Sequence, residues 1–192
     1  TAEESFIQSG KGVFDTEAIG KYVPVDPESI REYNEEASLF DLNSEGSLHI
    51  WEVPNREKKY IIGADVAQGV GGDYSAAVVM DSERKVVALY RNNKIDPTRF
   101  GSLLFYLGRW YNNCLLSCES NSIGLATLQQ LHYMSYPNIY RQKKTANAQL
   151  DIINTLGFKT TISTKAPIIS NLQNMVKDFD INIPSLVILN EL

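Results

Sequence analysis

An aspartate stands near the end of the most strand-like apolar run in this chain, Tyr60-Ile61-Ile62-Gly63-Ala64-Asp65-Val66. A carboxylate in such a run needs a hydrogen-bonding partner or a cation to offset its desolvation. A glycine-dense turn follows (Gly69, Gly71, Gly72). Two more β-type runs, Ser75 to Met80 and Lys85 to Tyr90, flank the polar turn Asp81-Ser82-Glu83-Arg84. Connections this short predict an antiparallel three-strand meander. Asp96-Pro97 then supplies an N-cap and a first-turn proline, and Phe100, Leu103, Leu104, Leu107 and Tyr111 recur at helical spacing. Cys114 to Glu119 predicts a fourth strand that ends, like the first, in an acid. A second helix is expected over Gly124 to Met134, a fifth strand over Ile139 to Gln142, a helix from about Ala166 to Phe179, and a last strand over Leu186 to Leu189.

Residues 1–59 show no sustained periodicity, and Pro24, Pro27 and Pro54 interrupt them. They are expected to form a linker and covering segment. Within it, Asp26-Pro27 predicts a short helix running to about Ala37. The alternating run Leu48 to Val53 predicts an edge strand stopped by Pro54. Residues 60–192 are expected to form the main domain.

The order β-β-β-α-β-α-β, with a helical crossover back to a strand parallel to the first, is that of an RNase H-like α/β domain. Its mixed sheet joins an antiparallel meander to parallel strands, with helices on its faces. There the first and fourth strands are neighbours, so Asp65 and Glu119 converge. Paired carboxylates at adjoining strand ends suit Mg²⁺ or Mn²⁺, which prefer oxygen ligands. The two His and two Cys have no zinc-ligand spacing.

Composition narrows the class further. The 192 residues are 43% hydrophobic and 21% charged, which excludes fibrous and disordered chains. The longest uncharged stretch, Ser120 to Tyr140, holds Asn121, Gln129, Gln130, His132, Pro137 and Asn138 and does not read as transmembrane. The acidic start Thr1-Ala2-Glu3-Glu4 is the opposite of a secretory signal. Cys114 and Cys118 alone exclude a disulfide framework and point to reduced thiols in a cytosolic setting. The net charge of -5 argues against general polyanion affinity, yet it is uneven: residues 1–60 carry -7 and residues 61–192 carry +2. Affinity for a polyanion must then come from local clusters or bound cations. Arg141, Lys143 and Lys144 form the compact basic cluster of the second half, a candidate DNA-backbone contact.

The stretch Ile62-Gly63-Ala64-Asp65-Val66-Ala67-Gln68-Gly69-Val70-Gly71-Gly72-Asp73-Tyr74-Ser75, followed by Cys118-Glu119-Ser120-Asn121-Ser122-Ile123-Gly124, resembles the nuclease domain of the large terminase subunit of tailed bacteriophages. Phe6 to Gly10 with Val13-Phe14 resembles the link that follows the ATPase domain. Gly157-Phe158-Lys159-Thr160-Thr161 with Thr164-Lys165 resembles a later motif. The resemblance implies a metal-dependent endonuclease that cuts concatemeric double-stranded DNA during viral genome packaging, in the host cytoplasm. It implies two Mg²⁺ or Mn²⁺ ions in the complete site, with Asp65 and Glu119 as ligating acids and Asp73 as an auxiliary acid. Its implied partners are DNA, the terminase ATPase domain, the small terminase subunit and the portal; no membrane is implied.

Two departures from the family pattern stand out. The family's third acid lies beyond a final strand, and Asp178, Asp180 and Glu191 do not match it; they read as helix-end, turn and strand-end residues. No G-x-x-x-x-G-K-[ST] occurs, so the ATPase half is expected to be absent. Cleavage by this stretch alone is therefore expected to be weak or absent, with Mn²⁺ tolerated better than Mg²⁺. Asn121 reads as a helix cap, Asp81 as a turn former, and the two cysteines as packing residues. The competing classes are a non-catalytic DNA or portal docking module and, more remotely, a fragment of an actin-like ATPase. The latter needs a second similar domain and a second phosphate loop, and neither is found here.

Overall fold

The computed structural model describes residues 13–142 and 155–192. Its centre is a seven-stranded mixed sheet. The strands are β1 (Ser29–Asn34), β2 (Leu39–Leu42), β3 (Leu48–Ile50), β4 (Tyr60–Asp65), β5 (Ser75–Asp81), β6 (Val86–Asn92) and β7 (Leu115–Cys118), in the spatial order β2-β1-β3-β6-β5-β4-β7. β4 and β7 pair in parallel and every other neighbouring pair is antiparallel. This is the RNase H-like mixed sheet expected from the element order.

Helices α1 (Thr16–Ile19), α2 (Pro97–Trp110), α3 (Gly124–Tyr133), α4 (Ile162–Lys177) and α5 (Leu186–Leu189) complete the described elements. α2 forms where expected because the Asp96 carboxylate accepts the Thr98 and Arg99 N–H groups, both at 3.0 Å, and Pro97 opens the first turn. Its apolar stripe, with Phe100, Leu103, Leu104 and Leu107 fully buried, packs with Leu128 and Leu131 of α3 onto Ile62, Ala77, Val79, Tyr90 and Leu116 of the sheet. On the opposite face Val176, Ile181, Ile183 and Leu189 form a smaller cluster with Val86, Val78 and Met80.

Several expected elements are replaced. The helix expected from Asp26 to Ala37 is instead strand β1. Its local cap signal loses to sheet partners: Tyr33 is buried against Phe40 and Tyr106, the Arg31 guanidinium lies over Trp110, and Arg31 Nη1 donates to the Phe40 carbonyl at 2.9 Å. Strand β3 is shorter than expected and lies inside the sheet between β1 and β6, not at its edge. The sheet thus runs across residue 60, since β1–β3 join the β4–β6 meander edge to edge through β6.

The run Leu186 to Leu189 is one helical turn and not a strand, because Ser185 Oγ accepts the Ile188 N–H at 3.3 Å and caps it. Four apolar residues in a row carry no period to choose between the two. Ile139 to Gln142 is extended but joins β7 by a single bridge, Leu116 to Ile139. α4 starts four residues early, at a capping box in which Thr161 N–H donates to Thr164 Oγ1 at 2.8 Å; Pro167 lies inside the helix. Among the described residues, no helix is long and apolar enough to cross a membrane.

The cap and the core of α2 are separable. Phe100→Ala should cost about 3–5 kcal/mol through the cavity it leaves, whereas Asp96→Ala should cost about 1 kcal/mol. Urea denaturation of the two variants measures both; equal losses would contradict this division.

Candidate functional site

The site forms where β4 and β7 end together. Their parallel register aligns Ile61 with Leu115, Ile62 with Leu116, Gly63 with Ser117 and Ala64 with Cys118. The next residue on each strand is an acid, Asp65 and Glu119. The ladder continues one step further, as Glu119 N–H donates to the Ala64 carbonyl at 3.0 Å. Neighbouring ladder positions share a face, so the two carboxylates project together from the face opposite α2 and α3.

Glu119 is held from its other side as well. Phe158 N–H donates to the Cys118 carbonyl at 2.9 Å, and Ser120 N–H donates to the Phe158 carbonyl at 2.8 Å. This approach depends on two glycines. Gly157 has φ +76, and a Cβ there would lie 2.5 Å from the Cys118 carbonyl oxygen; a Cβ on Gly124 would lie 1.9 Å from that of Glu119. Asn121 ties the acid to the helix that follows. Its Oδ1 accepts the Gly124 N–H at 2.7 Å, as a capping residue would, while its Nδ2 donates to Glu119 Oε2 at 3.1 Å.

The carboxylates line an open cleft of about 580 Å³. Gly63, Ala64 and Ser117 form its floor, and Phe158, Thr160, Lys165, Ile168 and Ile169 form the wall that leads into α4. Asp65 Oδ1 accepts the Val66 N–H at 2.9 Å. The Asp65 carboxyl is nevertheless pushed above the ordinary carboxylate range, first by partial desolvation at the sheet end and then by the Glu119 carboxylate beside it. The Val66 N–H opposes the shift, and the charge of Asp73 adds to it. Below, burial pushes the Cys118 thiol up to about 12 and the Cys114 thiol up to about 11, so both are neutral packing groups.

Of the acids expected here, Asp65 and Glu119 therefore come together, while Asp73 acts on Asp65 through its charge. Among the described residues, no group of three or more His, Cys, Asp or Glu side chains is disposed to hold a metal ion. Asp81 is a buried turn former: Lys58 Nζ donates to it at 2.9 Å, and its Oδ1 accepts the Glu83 and Lys85 N–H groups. Asp180 pairs with Arg84 and Glu191 with Arg91. Arg141 bridges to Leu156 and Gly157, and its Nη1 donates to Thr155 Oγ1 at 3.3 Å. Lys143 and Lys144 lie outside the described residues. The lysine of the cleft, Lys165, was marked in sequence by the Thr164-Lys165 motif alone, with no sign of which strands it would face.

The carboxylate pair makes a stability prediction for the metal-free protein. Because the folded state raises the Asp65 pKa, it binds that proton more tightly than the unfolded state does. The residue thus favours folding at acid pH, and the benefit is lost as pH rises from the unfolded pKa through the raised folded one. In chelator, Asp65→Asn should gain thermal stability over the parent at pH 7, and the gain should shrink towards pH 3. A variant less stable at pH 7 than at pH 3, relative to the parent, would contradict the repulsion.

No family model matches the sequence. The large terminase nuclease of the thermophilic phage G20c, solved with magnesium bound, superposes with a TM-score of 0.64 at 18% identity, covering 95% of this chain and 79% of that one. The same nuclease with zinc bound gives a TM-score of 0.63 at 18% identity over 94% of this chain and 86% of that one. The large terminase nuclease domain of Thermus phage P74-26 gives 0.63 at 18% over 94% and 76%. The chain has the RNase H-like fold of these large terminase nuclease domains.

Proposed function

We propose that this chain is the metal-dependent endonuclease domain of a viral genome-packaging terminase, cutting concatemeric double-stranded DNA by two-metal hydrolysis. The observation that carries the reading is the convergence of Asp65 and Glu119 at the mouth of one cleft, at the ends of the sheet's parallel pair. Its fold supports it, since the similar nucleases were solved with magnesium, cobalt or zinc.

The donor set suits a hard divalent cation. Asp65 Oδ1 is engaged by Val66 N–H and Glu119 Oε2 by Asn121, and the two carboxyl groups lie side by side, so one cation could be shared between them. The repulsion between the acids is the kind of local cost that a bound cation removes. Asp65 and Glu119 would hold Mg²⁺ or Mn²⁺ there, and the bound ion would supply an activated water and charge stabilisation at the leaving oxygen. Asn121 keeps Glu119 in one rotamer, Asp73 adds negative charge, and Lys165 on the cleft wall offers a cation to the substrate phosphate. In this reading Arg141, Lys143 and Lys144 contact the DNA backbone without reading bases, and the domain works in the host cytoplasm beside the ATPase domain, the small subunit and the portal.

Metal-titrated plasmid nicking tests the proposal. In a C-terminally extended protein that carries the complete site, Asp65→Asn and Glu119→Gln should each lower Mn²⁺- or Mg²⁺-dependent nicking at least about a hundredfold, with circular dichroism unchanged. Full activity in either variant sinks the assignment of the acids. An extended protein that binds duplex DNA but never nicks it, whatever the metal, would instead be the docking module.

A further inference from the structure

The strand register carries the acid site sideways across the sheet. Asp65 pairs with Ala76 of β5, and Ala76 pairs with Arg91 of β6. Directly opposed residues of antiparallel strands share a face, so Asp65, Ala76 and Arg91 form one row on the face that carries the cleft. Two strand spacings separate the ends of the row, about 10 Å. At about 3.4 Å of duplex axis per phosphate on one strand, that is a span of two or three nucleotides.

Arg91 is presented in an unusual way. Its guanidinium lies 3.4 Å from the ring centroid of Tyr74, two residues before Ala76 on the same face. A stack that close fixes the guanidinium plane and leaves its N–H edge pointing outward, the geometry that grips a phosphate in a fork. That edge already holds an anion: Arg91 Nη2 donates to Glu191 Oε1 at 2.8 Å. Glu191 follows α5, whose Leu189 is buried in the smaller core cluster with Leu192 packed against it. The carboxylate is thus anchored through its neighbours while its own side chain is 61% exposed and that of Arg91 is 32% exposed. An ion pair this exposed contributes little to stability, so a stronger anion can displace it.

We infer that Arg91, stacked on Tyr74, is a DNA-phosphate contact that positions the duplex beside the acid pair, with Glu191 occupying the phosphate's place until DNA displaces it. The inference rests on the nuclease reading for its ligand, and it extends the DNA-binding surface to the side of the cleft away from Lys165. Arg91 is a positioning residue: it touches a flanking phosphate and not the reacting one.

Binding and cleavage separate the two ideas. A fluorescein-labelled 30-base-pair duplex is titrated by anisotropy in chelator, across a salt series, with Asp65→Asn protein as the parent. Adding Arg91→Ala should weaken binding roughly tenfold near 0.1 M salt and lower the slope of log affinity against log salt by about 0.9, equally for unrelated sequences. Arg91→Lys should keep the slope. Glu191→Gln, which leaves Arg91 intact, should tighten binding about two- to fivefold by removing the competing anion. An unchanged slope in a folded Arg91→Ala protein, or unchanged affinity in Glu191→Gln, overturns the inference. A parent that binds no duplex even at low salt overturns it too. Failure of the nuclease reading shows elsewhere, as nicking by Asp65→Asn that matches wild type in the metal-titrated assay of the extended protein.

Discussion

The parallel pairing of β4 with β7 is the constraint on which the site depends. Parallel neighbours cannot be joined by a hairpin, so the chain must leave the sheet and return through a crossover. Here the crossover includes α2, whose buried stripe of Phe100, Leu103, Leu104 and Leu107 forms the centre of the larger core. The packing of that helix therefore sets the register as well as the stability. A slip of one residue between the strands would turn every side chain of β7 to the opposite face. Glu119 would then point towards α2 and α3, where Leu116 and Cys118 are now fully buried, and the acid pair could not exist.

That geometry carries a local cost, and the rest of the fold shows how it is contained. Asp65 keeps a raised pKa, first from desolvation and then from Glu119 beside it, so the fold holds together two acids whose charged forms repel. Relaxation is blocked from several directions: Ala64 holds the Glu119 backbone on one side and Phe158 on the other, and Asn121 holds its side chain. Gly157 and Gly124 permit contacts that any side chain at those positions would prevent. In the proposed nuclease this stiffness keeps the ligands ready for a cation and avoids reorganisation when one binds.

What was legible in the sequence follows from where each signal came from. Strands β4 to β7 and helices α2 and α3 carry strong local marks, namely apolar runs, the Asp96-Pro97 cap and helical spacing, and their order implied the neighbourhood of Asp65 and Glu119. β1 was hidden because Asp26-Pro27 looks like a helix start, and only its partners Phe40, Tyr106 and Trp110, distant in sequence, decide otherwise. The turn at Leu186 to Leu189 was hidden because four apolar residues carry no period. Lys165 sat in a recognised motif with no indication of its wall. Arg91 gave no local signal at all, since its relation to Asp65 exists only in the registers of two successive strand pairs.

That last relation shows how a sheet can act as a ruler. In the row from Asp65 to Arg91 the middle residue is Ala76, the smallest side chain that still occupies the position. A long side chain there would stand between the carboxylate and the guanidinium and divide the face. With alanine, no long side chain of β5 stands in the row between the acid and the base. The opposite rule holds one residue away, on the other face of β5, where Ala77 and Val79 are fully buried beneath the helices. One strand thus meets two demands through its period of two: close packing against the larger core on one side, and on the other a register that sets an acid and a base about 10 Å apart.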